Sequence, residues 1–208
     1  MPAKPFAFSE RVQLILANIE TVREIDRVTQ KGGELEQQMW QFVKHLEKNL
    51  KTKVPELRTW RSPEVNDEYG VYTCPDSSWY VLSDDYVAIG VDFLKGLNPV
   101  RNGDPLVGWY APMGWQLRDA FIAGLKAELP DDFFSDWRIE ADEVGMVLAT
   151  HIELASFRDQ VGNRFNLVGF EEAIWQAFRK LLKQQPVIEK VFKATIGQSK
   201  KKGQRKKA

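Results

Sequence analysis

One cysteine, two histidines and no long apolar run leave this 208-residue chain without staples, metal cages or anchors. Cys74 alone cannot close an internal disulfide, and the Cys and His residues show no zinc spacing. No stretch reaches the roughly 18 apolar residues that a membrane helix needs. The opening Met1–Gln13 has no apolar core of the signal-peptide kind. These absences predict a cytoplasmic protein, of a bacterium or of a virus infecting one, with no membrane partner, cofactor or metal. Catalytic motifs are missing too. There is no Gly-x-Ser-x-Gly elbow, no phosphate-cradling Gly-rich loop, no His-Glu-x-x-His, and no Glu-x-Lys following an Asp on a strand.

Aromatic residues are plentiful. Seven Trp and twelve Phe can bury enough apolar surface for a core without staples. Charge is balanced overall but unevenly placed. Lys200, Lys201, Lys202, Arg205, Lys206 and Lys207 crowd the last nine residues, and without them 23 basic residues face 29 acids, a net charge near −6. The length suits one domain over residues 1–197, followed by a disordered basic tail at 198–208.

Apolar spacing sets the elements. Ser9 reads as an N-cap, with Val12, Ile15, Leu16, Ile19, Val22 and Ile25 at helical spacing up to Gly32-Gly33. Leu35, Met39, Phe42, Val43, Leu46 and Leu50 mark a second helix from Glu34, closed by Pro55. The pair forms an antiparallel helical hairpin over about 9–52, or two helices packed separately on a sheet, and its apolar faces also make it a candidate homodimer contact. A mixed sheet and helix region follows over 56–197. Its expected strands are Leu57–Arg61, Tyr69–Cys74, Ser78–Leu82, Tyr86–Phe93 and Val107–Ala111, in an antiparallel meander. Asn98–Pro105 reads as loop. A helix after Gly114 buries Leu117, Ala120, Phe121 and Leu125. Gly124 weakens that helix, and Pro130 ends it. Trp137–Ala141 and Met146–Leu154 form a hairpin about Asp142-Glu143. Phe170, Ile174, Ala177, Phe178 and Leu181 lie on a late helix, and Pro186 sets off a short last one. Helices, sheet, helix, hairpin and helices in that order define an α+β fold.

Three groups of residues bear on function. His151 and Glu153 share one strand face, and Asp132, Asp136 and Glu140 precede them. Converging, these groups would make a metal-dependent nuclease or other hydrolase. The plainer reading turns them to solvent, because Met146, Leu148, Thr150, Ile152 and Leu154 supply the inward face. Trp109, Tyr110 and Trp115 flank a strand-to-helix turn. Exposed, they would stack a base or grip a partner protein; buried, they are core, and burial is favoured. Lys44, Lys48 and Lys51 share a helix face, extended by Arg58 and Arg61, and with the tail they are the candidate phosphate contacts.

From Gln37 onward the chain resembles a bacterial module of unknown function, found at the C-terminal end of restriction-like and nuclease-like proteins. The matching features are Gln37, Trp40 and Phe42 on a helix, the strand Tyr86–Val91, Trp137 with Glu140, and the run from Phe157 through Gly169-Phe170-Glu171-Glu172 to Phe178. The resemblance spans about residues 35–193. It implies an α+β fold and a phage-defence, counter-defence or mobile-element setting, and it supplies no catalytic residues. The first expectation is therefore a non-enzymatic binding module with a protein partner, or with nucleic acid through the basic helix face and tail. The alternative is the hydrolase.

Overall fold

In the computed structural model the described residues are 16, 17, 19–62, 69–82, 85–93, 96–139, 145–157 and 164–205, with backbone alone from 198 onward. Ser9, Val12 and Ile15 lie outside them. Helix α1, Ile19–Thr29, ends where Gly32 takes a positive φ of 74° and Gly33 caps helix α2, Glu34–Lys53. A left-handed residue closes a helix cheaply only if it is glycine. The Glu36 carboxylate accepts the Gly32 N–H at 2.7 Å, and the Gln37 amide donates to the Gly32 carbonyl at 3.0 Å, which ties the turn to the first coil of α2. No residue of α1 is buried, and Leu16 and Ile25 are half-exposed. Val43, Leu46 and Leu50 carry α2 into the core.

Four strands follow: β1 Gly70–Thr73, β2 Ala88–Asp92, β3 Leu106–Tyr110 and β4 Met146–His151. They pair in sequence order, each antiparallel to the next, with Val71 opposite Val91, Gly90 opposite Gly108, and Trp109 opposite Leu148. Neighbours across a register share a face. One face holds Val71, Ile89, Val91, Val107, Trp109 and Leu148. The Trp109 ring meets Trp60 and Trp79, and Trp79 stacks on Phe192 with ring centroids 4.2 Å apart. The opposite face carries Ala88, Gly90 and Gly108 beside Leu106 and Tyr110, with the Tyr72 ring lying over Gly90 and its hydroxyl donating to buried Asp92. The meander is thus covered on both faces, and every residue of β2 is buried.

Two expected strands are short 3-10 turns instead. Pro55 starts one at Pro55–Leu57, and only Arg61 pairs, as a bridge to Cys74. The Asp76 carboxylate accepts the Ser78 N–H at 2.7 Å and winds Ser77–Trp79, leaving Tyr80 as a bridge to Tyr86. In both places local turn chemistry outcompetes the ladder. The expected loop at 98–105 contains one helical turn, α3, Pro99–Asn102. It is capped by the Asn98 side chain, which accepts the Val100 N–H at 3.2 Å, and Pro99 takes the first position. The hairpin before β4 is reduced to a bridge between Arg138 and Ala149, and its turn at 140–144 lies outside the described residues. Beyond His151 a 3-10 turn, Leu154–Phe157, replaces the rest of the expected strand.

Helices complete the fold: α4 Arg118–Glu128, α5 Leu167–Leu182 and α6 Gln185–Arg205. Phe121, Ile122 and Leu125 are buried on α4, whereas Ala120 is exposed. Phe170, Ile174, Ala177, Phe178 and Leu181 are buried on α5 as expected, and α5 lies against β2 and β3. Pro186 begins α6 rather than isolating a short helix, because a proline in the first turn forfeits no hydrogen bond. The backbone of α6 stays helical to Arg205, through the segment assigned above to a disordered tail. Extending a helix already nucleated by packing is easy, and Gln, Lys and Arg are good helix formers. Among the described residues no helix is long and apolar enough to cross a membrane.

Candidate functional site

Six of the seven tryptophans are buried, whereas Trp40 is 48% exposed. An indole ring left half in water forgoes part of the apolar burial that drives folding. Trp40 stands on α2 off the buried stripe, with Gln37 and Gln41 beside it at helical spacing. It lines a groove of about 690 Å³. Lys31 and Gly32 of the α1–α2 turn form one end. Gly96–Asn98, then Arg101 and Asn102 of α3, form the facing wall, and half-exposed Tyr69 adds a second ring.

The walls are fastened by polar contacts. The buried Asn98 amide donates to the Thr29 carbonyl, joining the end of α1 to the cap of α3, while its oxygen holds the Val100 N–H. Among the described residues Glu36 is the one acid of the lining, and its carboxylate is engaged by the Gly32 N–H. Lys31 and Arg101 have no ion-pair partner among the described residues. Lys44 reaches over the Trp40 ring, 5.9 Å from its centroid, while also pairing with Glu47 at 3.0 Å. Half-exposed rings, side-chain amides and two unpaired cations therefore line one open groove.

The expected basic face is weaker than its sequence. Lys44 is shared with Glu47, and the Lys51 ammonium donates to the Trp60 carbonyl at 2.7 Å. Lys48, Arg58 and Arg61 are exposed. Lys200, Lys201, Lys202 and Arg205 lie on the last turns of the α6 backbone, and Lys206 and Lys207 lie outside the described residues. The aromatic segment fails as a partner surface. Trp109 and Trp115 are core, and only Tyr110 is half-buried, because the strand-to-helix turn directs its indoles inward.

Three of the five candidate acid-site residues do come together. Asp136, His151 and Glu153 line a cavity of about 270 Å³ with Asp104, Ser135, Arg138 and Thr150. Asp132 is not part of it, and Glu140 lies outside the described residues. Asp136 is ion-paired with Lys180, whose ammonium holds the carboxyl below its ordinary range. Asp104 accepts the Leu154 N–H at 3.0 Å, and the Ser156 hydroxyl donates to Glu153 at 3.4 Å. Among the described residues no three His, Cys, Asp or Glu side chains are placed to hold a metal ion. Buried Cys74 has its thiol pushed up to about 11 by desolvation, the opposite of what a nucleophile needs.

No protein-family model matches the chain, and no curated protein or solved structure matches it. Trp40 entered the sequence reading only as a helix residue, although its place off the apolar stripe was a usable signal. Tyr69, Arg101 and Asp104 carried none, since only the fold brings them to their sites.

Proposed function

We propose that this protein is a non-enzymatic binding module and that its recognition site is the Trp40 groove. The exposure of Trp40 carries the reading, when each of the other six tryptophans is buried. A large ring left half in water beside amides and unpaired cations is the anatomy of a binding hot spot. The setting we propose, nucleic-acid metabolism or phage defence, rests on the resemblance described above. The hydrolase reading keeps the cavity of Asp104, Asp136, His151 and Glu153 as its one support, and it is weakened because Asp136 is committed to Lys180 and Asp104 to a backbone N–H.

A photo-crosslinking residue at position 41, on the rim of the groove, tests the site in native cells. It is expected to trap a defined adduct that disappears with Trp40→Ala and is not formed from exposed position 126 of α4. Equal labelling from both positions would remove the groove as the recognition site. Magnesium- or manganese-dependent cleavage of DNA or RNA by the purified chain, lost in His151→Ala, would replace this reading with the hydrolase.

A further inference from the structure

We infer that the occupant of the Trp40 groove is a segment of single-stranded nucleic acid, with an unstacked base on the Trp40 ring and its phosphates against Lys31 and Arg101. This rests on the groove being the recognition site and adds the class of ligand.

The lining selects the ligand by exclusion. Lys31 and Arg101 are cations without ion-pair partners among the described residues, where Glu36 is the one acid of the lining and is held by the Gly32 N–H, so the described lining carries two positive charges against one negative. The uncompensated charge is positive, so the ligand is anionic. The half-exposed Trp40 ring favours a flat, unsaturated partner as well, because ring faces gain from stacking on another ring system. Anionic groups alternating with flat rings describe a nucleic-acid strand.

The strand has to be single. In a duplex each base face is covered by its neighbours, and Trp40 could reach one only after unstacking. A groove of about 690 Å³ holds one or two nucleotides and is too small for a helix about 20 Å across. The amides of Gln37, Gln41 and Asn102 stand along the same walls, and each can donate to or accept from a base edge. The Gln37 amide already donates to the Gly32 carbonyl, which leaves its oxygen as an acceptor. A protein partner fits less well. Among the described lining side chains only Trp40, Tyr69 and buried Leu97 are apolar or aromatic, too few to form the dry centre of a protein interface.

The test uses the full-length chain and fluorescein-labelled twelve-nucleotide strands of oligo-dT and oligo-U, followed by anisotropy and by quenching of the exposed Trp40 emission. Binding is expected, at least tenfold tighter than to a duplex of the same length. Trp40→Ala is expected to weaken it about tenfold or more, with Trp40→Phe intermediate, as loss of one stacked base predicts. Arg101→Gln and Lys31→Gln are each expected to lower the slope of log affinity against log salt by about one. Uridine monophosphate and inorganic phosphate separate a strand from a free nucleotide or bare anion, and neither is expected to compete at the concentration of the strand. Trp40 and Arg101 are exposed, so unchanged melting curves will show that the variants are folded. Strands bound equally well by wild type, Trp40→Ala and Arg101→Gln would place binding elsewhere, on the basic end of the chain, and overturn the inference. So would tighter binding of the mononucleotide, or no binding of any strand. If no strand binds while the position-41 crosslink to a protein persists and depends on Trp40, the ligand class is wrong and the recognition site stands.

Discussion

Asp85 shows how a single side chain sets local stability. Its carbonyl accepts the N–H groups of Val81 and Leu82, and its carboxylate accepts the Tyr86 N–H at 3.1 Å and the Tyr110 hydroxyl at 3.3 Å. Burial nevertheless dominates and raises its pKa, with the hydrogen bonds from Tyr86 and Tyr110 pulling the other way. A carboxyl with a raised folded pKa favours the native state most when protonated. Its contribution is full below the unfolded carboxylate range and is lost as pH rises through the folded value. Asp85→Asn keeps an acceptor for Tyr86 and removes the desolvated charge. The variant is expected to be more stable than wild type at pH 7, with the difference vanishing as pH falls below the carboxylate range. Urea midpoints across that range are the measurement, and a less stable Asp85→Asn at pH 7 would mean that the ionic hydrogen bonds outweigh desolvation. The alternation of β2 was legible in the sequence. The neighbours of Asp85 were not, since Tyr110 is brought to it by the pairing of β2 with β3.

At the scale of elements, Gly124 is the instructive case. By propensity it weakens α4, and replacing it with alanine gains about 1 kcal/mol in an isolated helix. In the fold, α4 crosses α6 at this point, and a Cβ on Gly124 would stand 2.6 Å from a methyl of Val191. Glu128 and Lys190 pair at 2.7 Å farther along the same contact. Valine is stiff about χ1, so the methyl has little room to give. Overpacking of this kind costs about 1–3 kcal/mol. Gly124→Ala is therefore expected to destabilise the protein by about 1 kcal/mol net. In a Val191→Ala background the same change is expected to be neutral or stabilising. Chemical denaturation of the four proteins in a double-mutant cycle measures the coupling, and strict additivity would show that the helices do not meet there. Helix boundaries at Gly32-Gly33 and Pro130 were readable because those residues act locally. The strands expected at Leu57–Arg61 and Ser78–Leu82 were misread for a related reason. Pro55 and Asp76 wind local turns whose hydrogen bonds the apolar pattern does not register.

For the whole molecule, the packed part of α6 ends near Thr195 and Ile196, while its backbone stays helical to Arg205. A chain stopped after Gly197 is expected to lose less than about 0.5 kcal/mol of stability. It is also expected to lose far-UV helical signal in proportion to the missing turns. A large drop in melting temperature would show that the segment docks on the body. If the Trp40 groove is the nucleic-acid site, truncation is expected to lower affinity for a strand without removing the effect of Trp40→Ala, because the two surfaces act separately.

What the sequence determined alone is whatever acts over a few residues. It set the α+β order, the antiparallel pairing, the buried stripes of α2 and α5, and the glycine and proline boundaries. Only the tertiary structure decided which side chains meet. Helical spacing places Gln37, Trp40 and Gln41 on one face. Nothing local sets them opposite Arg101 and Asn102, about sixty residues away in the chain, or beside Tyr69. Trp109 and Trp40 are the same residue type, one sealed in the core and one half in water. The difference lies in what the sheet and helices pack against each ring, and that is a property of the closed fold rather than of the neighbouring sequence.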